Sequence, residues 1–161
     1  YDFLKKINLK YIVLCENLSI SEINTAGIPD NIMKTLILDI KFDEKYFERV
    51  LHHEVFHIIY LQHRKIFNEG EWTKFNNSKF KYAECSTCTK KIGLKKYEKT
   101  KGFFTEYSMS TASEDMAEVY SHMIHLKKKE INQIRKLDPI LNNKISYIES
   151  KIKQIDNSFT F

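Results

Sequence analysis

Two histidines and a glutamate near the middle of the chain stand at a spacing that suits metal chemistry. His53 and His57 are four residues apart, and Glu54 directly follows the first histidine. On an α-helix, side chains four residues apart project from the same face, so both imidazoles can bind one metal ion. The carboxylate of Glu54 can then act as a general base on a water molecule at that ion. This run therefore predicts a zinc-dependent hydrolase.

The sequence around the run decides between a metal site and coincidence, because so short a pattern also occurs by chance. Asp43 is a suitable N-cap, and Glu44 follows it in the first turn. No glycine or proline occurs in residues 43–63. Histidines half buried beside an apolar stripe need polar partners, which a metal ion provides. The apolar residues that recur at helical spacing are Tyr46, Phe47, Val50, Leu51, Val55, Ile58 and Ile59.

A second acidic segment is the expected source of the third ligand. A catalytic zinc ion has three protein ligands and one open position. Glu114 and Glu118 lie one turn apart in a predicted helix, so one can bind zinc while the other accepts the free N–H of a ligand histidine. Helix capping explains acidic residues at positions 114 and 115, but it does not explain the carboxylate at position 118.

The elements that must position these residues are predicted to be a small sheet followed by helices. Residues 10–15 form a β-branched apolar run that predicts a buried strand. Residues 35–42 predict a second strand that leads directly into the motif helix, the predicted helix that carries His53 and His57. Residues 24–31 carry turn signals. Residues 1–42 are therefore expected to form a sheet-rich part that packs on the helix of residues 43–63.

The second half of the chain is predicted to be mainly helical. Residues 64–102 lose periodicity and form an irregular excursion between the two halves of the site, where they are expected to shape the cleft. In the helical part, residues 103–161, one helix is predicted over residues 113–129. The final helix is expected to begin with Asp138 as N-cap and Pro139 in the first helical position. The predicted fold class is α+β.

Size and composition indicate one folded domain over residues 1–161. A hydrophobic content of 42% is sufficient for a core. The formal net charge of +5 is spread along the chain, with its densest runs at residues 90–91 and 127–129, which favours a solvated face. No nucleic-acid-binding motif, transmembrane segment or signal peptide is recognised. Because the chain starts at Tyr1, we expect an excised domain or a mature fragment.

The cysteines leave several readings open. Cys85 and Cys88 form a Cys-x2-Cys pair, but a structural zinc site needs four ligands and no second pair exists. Cys15, His52 and His63 are not at a diagnostic spacing to complete such a site. A disulfide or two free thiols fits the pair at least as well. A nucleic-acid-binding module organised by this pair is a further alternative.

Two runs of residues resemble the signature of a known family. Gly102-Phe103-Phe104-Thr105-Glu106-Tyr107 is followed by Glu114-Asp115-Met116-Ala117-Glu118. This pattern resembles the bacterial group of putative zinc-binding metallopeptidases, and it is also similar to gluzincin-type peptidases related to the anthrax lethal factor catalytic domain. The shared segments cover roughly residues 42–126. Ser108 departs from the alanine that is usual in the group.

The resemblance implies a zincin-like metallopeptidase domain with three protein ligands to one catalytic Zn²⁺ ion: His53, His57 and Glu114. It implies that Glu54 is the general base, that Glu118 contacts a ligand histidine, and that Tyr107 steadies the oxyanion. The implied activity is that of an endopeptidase acting on a protein or peptide substrate, in a secreted or cell-envelope setting. The alternative is a catalytically silent zinc-binding domain that serves as a partner-binding or regulatory module.

Overall fold

The computed structural model of the protein describes residues 2–20, 22–42, 46–88, 93–95 and 99–161. The predicted helix cap at Asp43 and Glu44 and the basic run at residues 90–91 lie outside these residues. The strands are β1 (Tyr11–Cys15), β2 (Ser19–Ile20), β3 (Ile23–Asn24), β4 (Gly27–Asp30) and β5 (Thr35–Asp39). The helices are α1 (Asp2–Lys6), α2 (Phe47–Gln62), α3 (Glu69–Thr73), α4 (Ala112–His125), α5 (Lys128–Leu137) and α6 (Pro139–Ile155). Short 3-10 turns occupy Ser86–Cys88 and Tyr107–Met109.

A three-stranded sheet packs against α2 and supports it. Its order is β1-β5-β4, with β1 parallel and β4 antiparallel to the central strand β5. Strands β2 and β3 form a separate two-stranded hairpin. Leu36 and Leu38 of β5 are fully buried, in one hydrophobic core with Phe56 and Ile59 of α2. Burying each such side chain contributes about 1.5–3 kcal/mol, so this core holds the motif helix on the sheet.

Three expectations about the sheet were wrong. The strand at residues 10–15 was predicted to be buried, but residues 11–14 of β1 are 44–60% exposed, because β1 is an edge strand. The turn predicted over residues 24–31 contains β4, where Pro29 is tolerated because β4 is the other edge strand. The second strand ends at Asp39, so it does not lead directly into α2.

The C-terminal half is helical, as predicted, and centres on α4, which packs on α2 and α6. The helix predicted over residues 113–129 ends at His125, because Leu126 takes an extended conformation. The Lys127 N–H donates to the Glu130 carboxylate at 3.0 Å and starts the separate helix α5. The start of α6 is confirmed, since the Asp138 side chain accepts hydrogen bonds from two backbone N–H groups of the first turn. The chain is therefore a mixed α+β structure with a small sheet and a mainly helical C-terminal half.

No helix in the described ranges is long and apolar enough to cross a membrane.

A buried ion pair joins α6 to the first turn of α4. Lys144 and Asp115 are both fully buried, and Lys144 Nζ lies 2.6 Å from Asp115 Oδ2. Lys144 also donates to the carbonyl of Gly102 at 2.6 Å. The same carboxylate oxygen accepts hydrogen bonds from the Trp72 indole at 2.8 Å and the Tyr82 hydroxyl at 2.5 Å. Charges in a core require this many partners to offset the loss of water.

Replacing Lys144 by Met is expected to lower the free energy of unfolding by about 3–5 kcal/mol, because Asp115 would stay buried without its cation. Urea denaturation measures the change. The double variant Lys144→Met, Asp115→Asn is expected to recover part of the loss, since the uncompensated charge is removed as well. A single variant as stable as the wild type would contradict this role for the pair.

Candidate metal centre

Helices α2 and α4 bring three potential metal ligands to one point. His53 and His57 lie one turn apart on α2, and Glu114 lies in the first turn of α4. His53 Nε2 is 2.9 Å from Glu114 Oε2, and His57 Nε2 is 3.1 Å from both of these atoms. Among the residues that the structure describes, these three side chains form the one cluster of His, Cys, Asp or Glu that could hold a metal ion.

The chemistry and spacing of these three residues fit a zinc ion. Two imidazole nitrogens and one carboxylate oxygen form a known ligand set of catalytic zinc. Ligand atoms about 2.0–2.2 Å from a tetrahedral ion lie roughly 3.3–3.6 Å from one another. The observed separations of 2.9–3.1 Å are slightly shorter than this range. The fourth position of such a tetrahedron would be left for a water molecule or a substrate.

Glu118 orients the first histidine. Its Oε1 atom lies 2.9 Å from His53 Nδ1, so the ring donates this N–H and directs Nε2 toward the other ligands. Its Oε2 atom accepts from Arg49 Nη1 at 2.6 Å and from the Thr105 hydroxyl at 2.7 Å. Burial raises the pKa of Glu118, but the hydrogen bond and the charge of His53, with the nearby cations, outweigh it and lower the pKa to about 2. The carboxylate is therefore charged and has fixed partners.

Arg49 and Thr105 were not identified from the sequence. Arg49 lies one turn before His53 on α2 and is buried, and its Nη2 also donates to the carbonyl of Leu94 at 2.9 Å. A charged residue four positions before a candidate ligand was a usable signal in the sequence. Its partner Glu118 is 69 residues away, however, so spacing alone could not assign the pair.

Glu54 is buried next to the ligands and faces strand β4. A Cβ atom on Gly27 would lie 2.5 Å from the Cγ atom of Glu54, so the absence of a side chain at position 27 makes room for this glutamate. Burial raises the pKa of Glu54, whereas the positive charges of His53 and His57 oppose the shift. The site thus contains a carboxyl group with an increased affinity for a proton.

The side chain of Tyr107 lies beside the candidate ligands. Its ring centroid lies 5.9 Å from that of His53. Burial raises the pKa of Tyr107, and the charges of Glu114 and Glu54 raise it further. The hydroxyl therefore stays protonated and can donate a hydrogen bond. It also interacts with the side chain of Ser86.

The two cysteines of the Cys-x2-Cys pair are joined to each other. Cys85 and Cys88 form a disulfide that closes the turn carrying Ser86, and Cys15 is a free thiol. A disulfide leaves no thiolate for a metal ion, so in this structure the pair supplies no ligands to a second zinc site. The disulfide instead lies near Tyr107, because Ser86, between the two cysteines, forms a hydrogen bond with the Tyr107 side chain.

In the metal-free protein, a proton is expected to take the place of the cation. Burial lowers the pKa of His53, but the hydrogen bonds with Glu114 and Glu118 outweigh it and raise the pKa to about 10. The ordinary value is 6.5. A metal ion bound here would therefore displace a proton held between two carboxylates.

The stability of the metal-free protein should consequently depend on pH. Because the folded-state pKa of His53 is raised, its contribution is fully present below pH 6.5 and is lost as the pH rises through about 10. Urea denaturation in the presence of a chelator should give a lower free energy of unfolding at about pH 9.5 than at about pH 6.5. His53→Asn should flatten this dependence. A free energy of unfolding that does not fall over this interval would contradict the prediction.

Comparisons with known proteins place the chain in a family. The family model described as "Putative zinc-binding metallo-peptidase" matches residues 1–157. A comparison with curated proteins finds no match. The crystal structure of a putative zinc-binding metallo-peptidase from Bacteroides caccae shares the fold, with a TM-score of 0.58 and 19% sequence identity over 95% of this chain. The present chain covers 61% of that structure's length. With the family model matching almost its whole length, the chain belongs to the family of putative zinc-binding metallopeptidases.

Proposed function

We propose that this chain is a zinc-dependent peptidase of the gluzincin type, in which His53, His57 and Glu114 bind one catalytic zinc ion. The observation that carries the proposal is the convergence of three ligand atoms 2.9–3.1 Å apart beside the buried Glu54. Family membership supports zinc binding and peptidase activity. The resemblance of residues 102–118 to the lethal factor type of signature supports the gluzincin assignment and a zincin-like fold.

The side chains of the site supply the proton transfers that hydrolysis needs. A zinc ion bound by these residues would act as a Lewis acid and lower the pKa of a coordinated water molecule toward about 7. Glu54 accepts a proton from the attacking water at its carboxylate, and burial of this group raises its pKa and so its strength as a base. The same carboxyl group then gives the proton to the leaving amine. Amide or ester hydrolysis would use the same groups, but a peptide bond is the substrate we propose.

Two further residues hold the reacting groups in place. The Tyr107 hydroxyl donates a hydrogen bond to the carbonyl oxygen as it becomes negative, because the raised pKa of Tyr107 keeps its proton. One well-placed donor of this kind contributes about 2.7–4 kcal/mol to transition-state stabilisation. Glu118 keeps His53 in the orientation that presents Nε2.

The substrate we propose is a protein or peptide, and the setting is secreted or at the cell envelope. The disulfide between Cys85 and Cys88 supports this setting, since disulfides persist in oxidising compartments. Family likeness supports the choice of substrate class.

Glu54→Gln tests the activity directly. The variant should keep one zinc ion per chain but lose about 10²–10⁴-fold in kcat/KM for peptide hydrolysis, because an amide cannot accept the proton. Metal analysis and cleavage of a peptide library measure the two quantities. The matched control is Glu71→Gln, the same change at a side chain that is 54% exposed, and it should cleave like the wild type. Equal activity of Glu54→Gln would overturn its role, and a wild-type chain that binds zinc without cleaving would indicate the silent binding domain.

Glu118→Gln tests how the ligands are held. The variant should bind zinc about 10–100-fold more weakly, because a neutral amide no longer stabilises the donating N–H of His53. Competition with a chelator measures the affinity, and thermal unfolding checks that the protein still folds when the charge of Arg49 is no longer balanced by Glu118. Thr105→Val removes another hydrogen bond to the same carboxylate without removing its charge, so its effect should be smaller. Unchanged zinc affinity in Glu118→Gln would contradict the assigned role.

A further inference from the structure

Strand β1 carries apolar side chains that the described part of the chain leaves exposed. Tyr11 is 60% exposed, Ile12 50%, Val13 44% and Leu14 58%. Strand β1 pairs with β5 along one side and lies at the edge of the sheet. An apolar edge strand is a template for pairing with another strand, and soluble proteins usually protect such an edge. The β1 edge is therefore a candidate binding site for another β-strand.

The backbone of β1 offers hydrogen bonds on its free side. The Tyr11 N–H donates to the Lys34 carbonyl, and the Cys15 carbonyl accepts from the Ile40 N–H, so both residues direct their backbone groups toward β5. Backbone direction alternates along a strand. The N–H and C=O groups of Ile12 and Leu14 consequently point to the free edge, where an added strand would meet them.

The sequence of β1 and its flanks is complementary to itself. In an antiparallel pair centred on Val13, Ile12 lies opposite Leu14 of a second copy, and Tyr11 lies opposite Cys15, so apolar residues meet apolar residues. At both ends of the pair, Lys10 lies opposite Glu16 of the second copy. Lys10 is exposed, and Glu16 is 46% exposed and contacts Lys41. Opposite charges directly across two strands stabilise a pair, whereas like charges destabilise it.

We propose that a second copy of this chain binds at the β1 edge, forming a two-fold symmetric dimer in which the sheets continue through antiparallel β1 strands. The register that places Ile12 opposite Leu14 also uses the outward-facing backbone groups of both residues, so side-chain and backbone complementarity coincide. The contact is isologous, as in most homodimers. Strand β4, which lies beside Glu54, is at the opposite edge of the sheet, so the contact does not involve the metal centre.

Sedimentation analysis of charge variants tests both the dimer and its register. The wild-type chain should show a concentration-dependent monomer–dimer equilibrium, with or without zinc. Lys10→Glu should raise the dissociation constant about tenfold or more, because two attractive contacts per dimer become repulsive. The double variant Lys10→Glu, Glu16→Lys should recover dimerisation. Lys129→Glu makes the same change in charge on α5, which packs on α6, and should have no effect.

Cysteine cross-linking tests the centre of the pair in a Cys15→Ser background. Val13→Cys should form an intermolecular disulfide on oxidation, because residues opposite each other without ladder hydrogen bonds have Cα atoms about 4.5 Å apart. Ile12→Cys should not form this disulfide, because the Cα atoms of residue 12 in the two chains would be about 8 Å apart in this register.

A chain that stays monomeric at its highest soluble concentration overturns the proposal, and would leave the edge to a strand from elsewhere in a longer polypeptide. A dimer that is insensitive to Lys10→Glu and is not cross-linked through Val13→Cys also overturns it, because such a dimer uses another surface.

Discussion

The carboxylate of Glu118 links α2 and α4, the two helices that carry the candidate metal ligands. It belongs to α4, yet it accepts hydrogen bonds from His53 and Arg49 of α2. A charged group that is 2% exposed is costly unless every lone pair has a partner, so the crossing of α2 and α4 is constrained by its electrostatics as well as by its apolar core. The crossing in turn determines where Glu114 meets the two histidines. The geometry of the candidate ligands therefore depends on this buried hydrogen-bond network together with the apolar core between the two helices.

The acidic residues of α4 contact different helices, because they project from different faces of α4. Glu114 and Glu118 are one turn apart and face α2, whereas Asp115 is directed away from them and meets Lys144 of α6. The first turn of α4 is thus held from two sides, by the metal centre and by the buried ion pair. This arrangement gives Glu114 a rigid support, as expected of a candidate metal ligand.

The two edges of the sheet have different surroundings. At β4 the edge strand approaches the metal centre so closely that Gly27 leaves room for Glu54. At β1 the edge strand lies away from α2 and exposes a row of apolar side chains. One edge therefore lies against the candidate metal centre, and the other exposes an apolar surface.

Local spacing in the sequence was sufficient to predict that His53 and His57 share one helix face and that α6 begins at Asp138 and Pro139, because both features depend on residues within one turn. The resemblance of residues 102–118 to a known signature predicted Glu114 as the third ligand, and in the structure its carboxylate lies beside the two histidines. Only the tertiary structure decided that β1 is exposed and which partners Glu118 and Lys144 have. Burial and long-range pairing depend on which elements meet in space, and Arg49 and Glu118 are 69 residues apart, so no local pattern in the chain records their contact.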